Sequence, residues 1–150
     1  MTIAQTATTS FKVELPQGVH NFGPTSPDTF KVALYTAAAN LDATTAVYNP
    51  AAAGQVTGAG YTAGGNTLVI NVTPVAANNS SGIPTSYWSF SNTSWTNATF
   101  TARGALIYNV TKGDKSVAVL DFGSDKTVNN DTFQIIFPTP DANSAIVRIS

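Results

Sequence analysis

Hydrophobic residues in this chain recur with a period of two almost everywhere, and that period constrains the fold more than any other feature. Successive side chains of an extended strand point to opposite faces, so a two-residue repeat lets one face bury while the other meets solvent. Phe11, Val13 and Leu15 alternate with Lys12 and Glu14 until Pro16-Gln17-Gly18 stops the run. Phe30, Val32 and Leu34 alternate with Lys31, Ala33 and Tyr35. Leu68, Ile70 and Val72 alternate with Val69 and Asn71, ended by Pro74. Each pattern predicts a half-buried strand. The C-terminal half is denser, with candidate strands at residues 100–110, 116–122, 132–137 and 145–149.

The connections support the same reading. Lys112-Gly113-Asp114-Lys115 places a glycine able to take positive φ between two strong strand patterns, which predicts a hairpin. Gly123-Ser124-Asp125-Lys126 and Asn129-Asn130-Asp131 punctuate in the same way, so Asp114, Asp125 and Asp131 read as turn formers. Gly58-Ala59-Gly60-Tyr61-Thr62-Ala63-Gly64-Gly65 needs a permissive backbone and reads as a bend between strands. Residues 37–65 and 76–85 are rich in Ala, Gly, Asn, Ser and Thr and are expected to form long loops. Within the first of them, Pro50 and Gly54 leave room for no more than a short helical turn at each alanine triplet. The expected fold is all-β: a single antiparallel β-sandwich, jelly-roll-like, over residues 11–150, preceded by a Thr-rich N-terminal arm over residues 1–10 that orders against a neighbour. A chain of 150 residues buries enough surface for one such core without metals or disulfides.

Charge narrows the functional classes. Only 10% of the residues are charged, against about 25% in an average soluble domain. A freely dispersed monomer keeps a mixed, charged surface, whereas Thr, Asn, Ser and Ala in its place suit a surface hidden against neighbours. A secreted β-domain with a Ser/Thr/Asn-rich exterior is the alternative. The seven basic residues are scattered with no two adjacent, so no basic patch for nucleic acid is expected. No apolar run approaches the ~20 residues of a membrane span. Residues 1–7 lack the basic and apolar regions of a signal peptide, and cysteine is absent, which together predict synthesis in a cytoplasm without disulfides or thiolate chemistry. The Asn-x-Ser/Thr triplets at Asn71, Asn97 and Asn109 follow from the abundance of both residue types.

No catalytic, cofactor or metal constellation is expected. His20, the single histidine, lies in a loop-like stretch without a nucleophile elbow, and is expected to be solvated. Glu14 is the only glutamate, which leaves no carboxylate pair for glycoside hydrolysis. Asp121-Phe122-Gly123 lacks every other kinase element, and the glycines between Gly58 and Gly65 lack dinucleotide spacing. The candidate contact residues are aromatic or cationic. Tyr87, Trp88 and Trp95 could stack on sugar rings if exposed, although alternation through Tyr87-Trp88-Ser89-Phe90 also allows core or intersubunit packing. Arg103 interrupts the run of Trp95, Phe100, Leu106 and Tyr108, and either meets solvent, pairs with an acid such as Asp121, or crosses to another subunit.

Three segments taken in order carry a family resemblance. They are the Gly58–Gly65 stretch, the run from Trp95 through Phe100-Thr101-Ala102-Arg103-Gly104-Ala105-Leu106 to Asn109, and Val117-Ala118-Val119-Leu120-Asp121-Phe122-Gly123. With Phe30–Tyr35 upstream and Phe133-Gln134-Ile135-Ile136-Phe137-Pro138 downstream, the chain resembles small virion-associated proteins of tailed bacteriophages from about Phe11 onward. The resemblance implies a β-rich virion component, a capsid decoration (cement) subunit or a tail-associated one, and no catalytic residues. The resulting expectation is a non-enzymatic subunit that contacts the major capsid protein or other virion proteins and associates with itself as a dimer or trimer. A tail- or fibre-associated protein, including a glycan- or receptor-binding module, is the alternative.

Overall fold

Eight strands and one short helix follow one another in a computed structural model that describes residues Met1–Ser150. In chain order they are β1 (Thr6–Ala7), α1 (Thr9–Glu14), β2 (Phe30–Tyr35), β3 (Asn66–Leu68), β4 (Ile70–Asn78), β5 (Pro84–Phe90), β6 (Thr93–Asn109), β7 (Lys115–Ile135) and β8 (Val147–Ile149). They form two antiparallel sheets: a five-stranded one in the order β1-β7-β6-β2-β3 and a three-stranded one in the order β4-β5-β8. The chain is mostly β, as the alternation predicts.

The β6–β7 ribbon dominates the larger sheet. Its tight end is the expected turn: a 3-10 turn over Val110–Lys112, then Gly113 at φ 72° and Asp114 at φ 61°. The expected breaks at Gly123 and Asn129-Asn130-Asp131 do not end the strand. They are taken up as irregularities, with residues 122–125 looping out opposite the single Arg103 and Asn130 dropped from the register between Asn129 and Asp131. Such bulges reverse which face a side chain meets. Trp95 enters the large core from an odd position, Ala98, Phe100 and Ala102 from even ones, and Ala105 and Ile107 from odd ones again. The two reversals coincide with the register shifts at Trp95/Ala98 and Ala102/Gly104. Without them, one set would turn to the opposite face.

Aromatic rings join the sheets. Phe30 of β2 lies 5.7 Å from Phe90 of β5, and Phe22 stacks on Phe30 at 4.4 Å while touching Trp88 at 5.1 Å. Around them one cluster gathers Phe11, Val32, Leu34, Val117, Phe137 and Val147. The opposite face of the larger sheet is buried too. There Ala33, Tyr35, Leu106, Tyr108 and Val119 pack under Ile3, Ala39, Leu41 and Tyr48.

Three expectations are corrected. Residues 11–15 are helical: Thr8 caps α1 by accepting a hydrogen bond from the Phe11 N–H, only Phe11 of the helix is buried, and Val13 is 55% exposed. Phe11 and Leu15 stand four apart, so the inward pair fits a helical repeat as well as alternation. Residues 76–85 form the tip of the β4–β5 hairpin, where every β4 residue is exposed and on β5 only Thr85 turns inward, so the composition carries no alternation. The N-terminal arm folds onto its own chain, with Ile3 bridging Leu41 and Thr6–Ala7 pairing with Val119 and Ala118. Gly104 makes room for it, since a Cβ there would lie 2.8 Å from the Ile3 side chain. Residues 37–65 hold no regular element, as expected of a loop, yet they bury Ala39, Leu41, Tyr48 and Val56 and so act as a covering layer.

Two glycines separate backbone strain from steric exclusion. Gly65 (φ 73°) enters β3 so close to β2 that a Cβ would sit 1.8 Å from the Val32 carbonyl oxygen, whereas Gly82 (φ 75°) in the β4–β5 turn has nothing within 4 Å. Gly82→Ala should cost only the ~1–2 kcal/mol of left-handed strain. Gly65→Ala should cost well beyond that, because β2 and β3 must separate. Urea unfolding of the two variants measures the difference.

Candidate functional site

The four candidate contact residues are placed in different surroundings. Trp88 on β5 is 3% exposed and Trp95 on β6 is 4% exposed. Trp88 packs on Phe22, and Trp95 on Tyr61 and Phe133. Neither ring is free to stack on a sugar: both take the core-packing option that the alternation allowed. Both indole N–H groups are enclosed without a hydrogen-bond partner. Tyr87 is half-buried on β5, in register with Val75 on one side and Arg148 on the other. Arg103 takes the paired option, its Nε donating to Asp121 Oδ1 at 3.0 Å across the bulge. The bond raises the guanidinium pKa, and with the Gly123 N–H it holds the Asp121 carboxyl below its ordinary value. The four residues do not converge on one site.

What does converge is a chain of polar groups around His20. Its imidazole is enclosed rather than solvated, correcting the expectation of a loop histidine. Nε2 lies 2.8 Å from Glu14 Oε2, and Nδ1 lies 3.0 Å from the Asn109 amide nitrogen. That nitrogen also donates to Asp28 Oδ2 at 2.8 Å, while Asn109 Oδ1 accepts from the Lys112 N–H. Since the Asn109 nitrogen can only donate, the ring takes the tautomer that accepts at Nδ1 and donates from Nε2 to Glu14. Lys115 Nζ closes one end of the chain on Glu14 Oε1 at 2.6 Å, and Lys112 Nζ stands 3.8 Å from Asp28 at the other. The groups come from α1, the segment before β2, the end of β6 and the start of β7, so the network pins the helix and that segment to the ribbon's turn. Burial works against the ionised Glu14 carboxylate, but the hydrogen bonds from Lys115 and His20 outweigh it and hold its pKa below 4.5. Both ring nitrogens are occupied and no hydroxyl reaches them. The arrangement ties structure together and leaves no free base. A lone glutamate and a lone histidine six residues apart, with Val19 and Phe22 beside the latter, were the available signal for it.

A second polar centre organises the covering layer. Gln55 Oε1 accepts from the Gly64 N–H at 2.7 Å and from the Tyr61 hydroxyl at 3.3 Å, and the Gln55 side-chain amide also meets the Tyr48 hydroxyl. Tyr108 stacks on Tyr48 at 4.3 Å and donates to the Gly64 carbonyl. Burial pushes the Tyr61 pKa up to about 12, and those of Tyr35 and Tyr108 higher still. The Tyr61 and Tyr108 hydroxyls are structural donors throughout the physiological range.

No group of three His, Asp or Glu side chains is gathered to hold a metal ion, and no helix is long and apolar enough to cross a membrane. Compared with protein-family models, curated proteins and solved structures, the chain matches none.

Because Glu14 has a lower pKa folded than unfolded, its contribution to stability is complete above pH 4.5 and is lost as the pH falls through the depressed folded value. Glu14→Gln should remove that part of the acid dependence and lower stability at neutral pH by on the order of 1–3 kcal/mol, the worth of a hydrogen bond to a charged group. Chemical unfolding at pH 3, 5 and 7 compares the two. The enclosed indoles predict blue-shifted tryptophan emission that iodide quenches poorly and mono- or oligosaccharides leave unchanged. Red-shifted, readily quenched emission would return the tryptophans to the surface.

Proposed function

We propose that the chain is a non-enzymatic structural subunit of a bacteriophage virion, a capsid decoration or cement protein with a jelly-roll-like β-sandwich core. The observation that carries this reading is the scarcity of charge, 10% of residues, on a surface made largely of Thr, Asn, Ser and Ala. Such a surface loses little solvation energy when a neighbour covers it, because desolvating neutral groups costs far less than desolvating ions. The resemblance of the segments around Gly58–Gly65, Trp95–Asn109 and Val117–Gly123 to virion-associated proteins supplies the particle. The subunit acts mechanically. A rigid two-sheet core presents loops and strand edges to the major capsid protein and to its own copies, and small contacts add over a symmetric lattice. The partners are protein, with no role for nucleic acid, membrane or cofactor, and the location is the virion after synthesis in the host cytoplasm. The glycan-binding alternative loses its stacking platform with Trp88 and Trp95 inside the core.

Cryo-electron microscopy of the source particle tests the reading. Density for this chain repeated over the capsid lattice and bridging capsomers is expected. Density confined to the tail or a fibre tip would overturn the cement assignment, and absence from the particle would overturn the virion assignment altogether.

A further inference from the structure

The β4–β5 hairpin is unusual in what it leaves uncovered. β4 forms one edge of the three-stranded sheet, and β8 on the far side of β5 reaches only Ser86 to Trp88. Beyond that point the hairpin is a two-stranded ribbon, an arrangement that is marginally stable alone in water. From Thr73 to Asn78 every residue is exposed, so both faces of β4 meet solvent. Pro74, Val75, Ala76 and Ala77 are four consecutive apolar residues there, with Val75 44% exposed and Ile83 at the turn 49%. Such a run on a surface is an error unless it is used.

Proteins usually guard a free edge with charges, prolines or bulges. In this chain no charged residue lies anywhere between Asp42 and Arg103, a span that contains the whole hairpin. Pro74 and the register shifts sit at one end of β4 and leave Val75–Asn78 in unbroken pairing with Tyr87, Ser86, Thr85 and Pro84. The outer backbone groups of Val75–Asn78 are therefore regular, accessible and free of charge.

We infer that Val75–Asn78 is a self-association edge, where β4 of one copy pairs antiparallel with β4 of a second across a two-fold axis. Neutrality selects this occupant. In a two-fold pairing the residue at the axis faces its own duplicate and its immediate neighbours lie close to theirs, so a charge in so short a segment would sit near a like charge, and here none does. The small side chains of Ala76 and Ala77 sit in the middle of the segment, beside the axis, and leave the approach of a second strand unobstructed. The result is one continuous sheet, β8-β5-β4-β4-β5-β8, in which each exposed ribbon gains the further strand it lacks. The contact is isologous and closes as a dimer. Such a pairing rests on the assembly reading above for its premise that copies of the chain meet.

Sedimentation of the purified full chain over the micromolar to millimolar range tests the edge wherever the protein lies in a particle. A concentration-dependent doubling of mass is expected for the wild type. Ala76→Lys, at an exposed position whose change leaves the thermal unfolding midpoint in place, should abolish that doubling. Val13→Lys, exposed on α1, should keep it. The chain has no cysteine, so Ala76→Cys should oxidise to a covalent dimer, and Val13→Cys should not. A wild type that stays monomeric throughout, or a mass unmoved by Ala76→Lys, would overturn the inference. So would β4 amides that are protected from hydrogen exchange only within the intact particle, because the edge would then belong to a different protein. Failure in solution leaves the cryo-microscopy result to decide the virion reading separately.

Discussion

Burial on both faces of the β6–β7 ribbon near its turn, over Gly104–Asn109 and Ser116–Leu120, is the constraint on which the rest of the structure depends. A sheet with one wet face needs one covering layer; this one needs two. The small sheet, with α1 and Phe22, covers one side, where Phe30, Leu34, Ala105 and Ile107 face Trp88 and Phe90. The second side carries Ala33, Tyr35, Leu106, Tyr108 and Val119, all nearly inaccessible. No regular element covers that side. The work falls to residues 37–65 and the N-terminal segment, which explains why a stretch so rich in Gly and Ala is held in place.

An irregular covering layer must satisfy its backbone without a ladder. The solution is a few polar side chains with several bonds each. Gln55 gathers Gly64, Tyr61 and Tyr48, and the Tyr61 hydroxyl in turn accepts from the Leu34 N–H of β2. Asp42 holds its own turn through the Thr44 N–H and hydroxyl. At the ribbon's tight end the His20 network does the same for the segment before β2. Of the cations, Lys112 and Lys115 lie against Asp28 and Glu14, and Arg103 against Asp121. A good part of an already small set of charges is thus spent on internal fastening.

The strands of the core were legible because burial leaves a direct trace in composition: Phe30–Tyr35 and the start of β7 are near-continuous apolar runs, as strands buried on both faces are. Elements lost their trace where that link fails. α1 was hidden because one inward pair, Phe11 and Leu15, satisfies two periods at once. The hairpin tip was hidden because exposure on both faces leaves a strand without alternation, and such a strand reads as a loop. The great length of β7 was hidden by Gly123 and Asn130, whose positive φ values serve bulges here and would serve turns elsewhere. The inward facing of the tryptophans was open to alternation, which offered core packing beside stacking. Of the His20 network only the Glu14–His20 pair left a signal, since the other members are scattered as far as Lys115 and meet only through the fold.

Double-sided burial also bears on the scarcity of charge. Each additional layer takes up residues that would otherwise face water, and what remains outside is one face of the ribbon's far half, the edge strands, the turns and the β4–β5 hairpin. Apart from the apolar run Pro74–Ala77, those regions are polar mainly through hydroxyls and amides, which pair with a neighbour in many geometries and carry a small desolvation penalty. Association through such a surface gains little from electrostatic steering. It depends instead on backbone pairing and shape, which act only at short range and only in a fixed orientation. For a subunit proposed to take its place in a repeating lattice, that dependence favours the single correct register over the many near-misses that long-range charge would also attract.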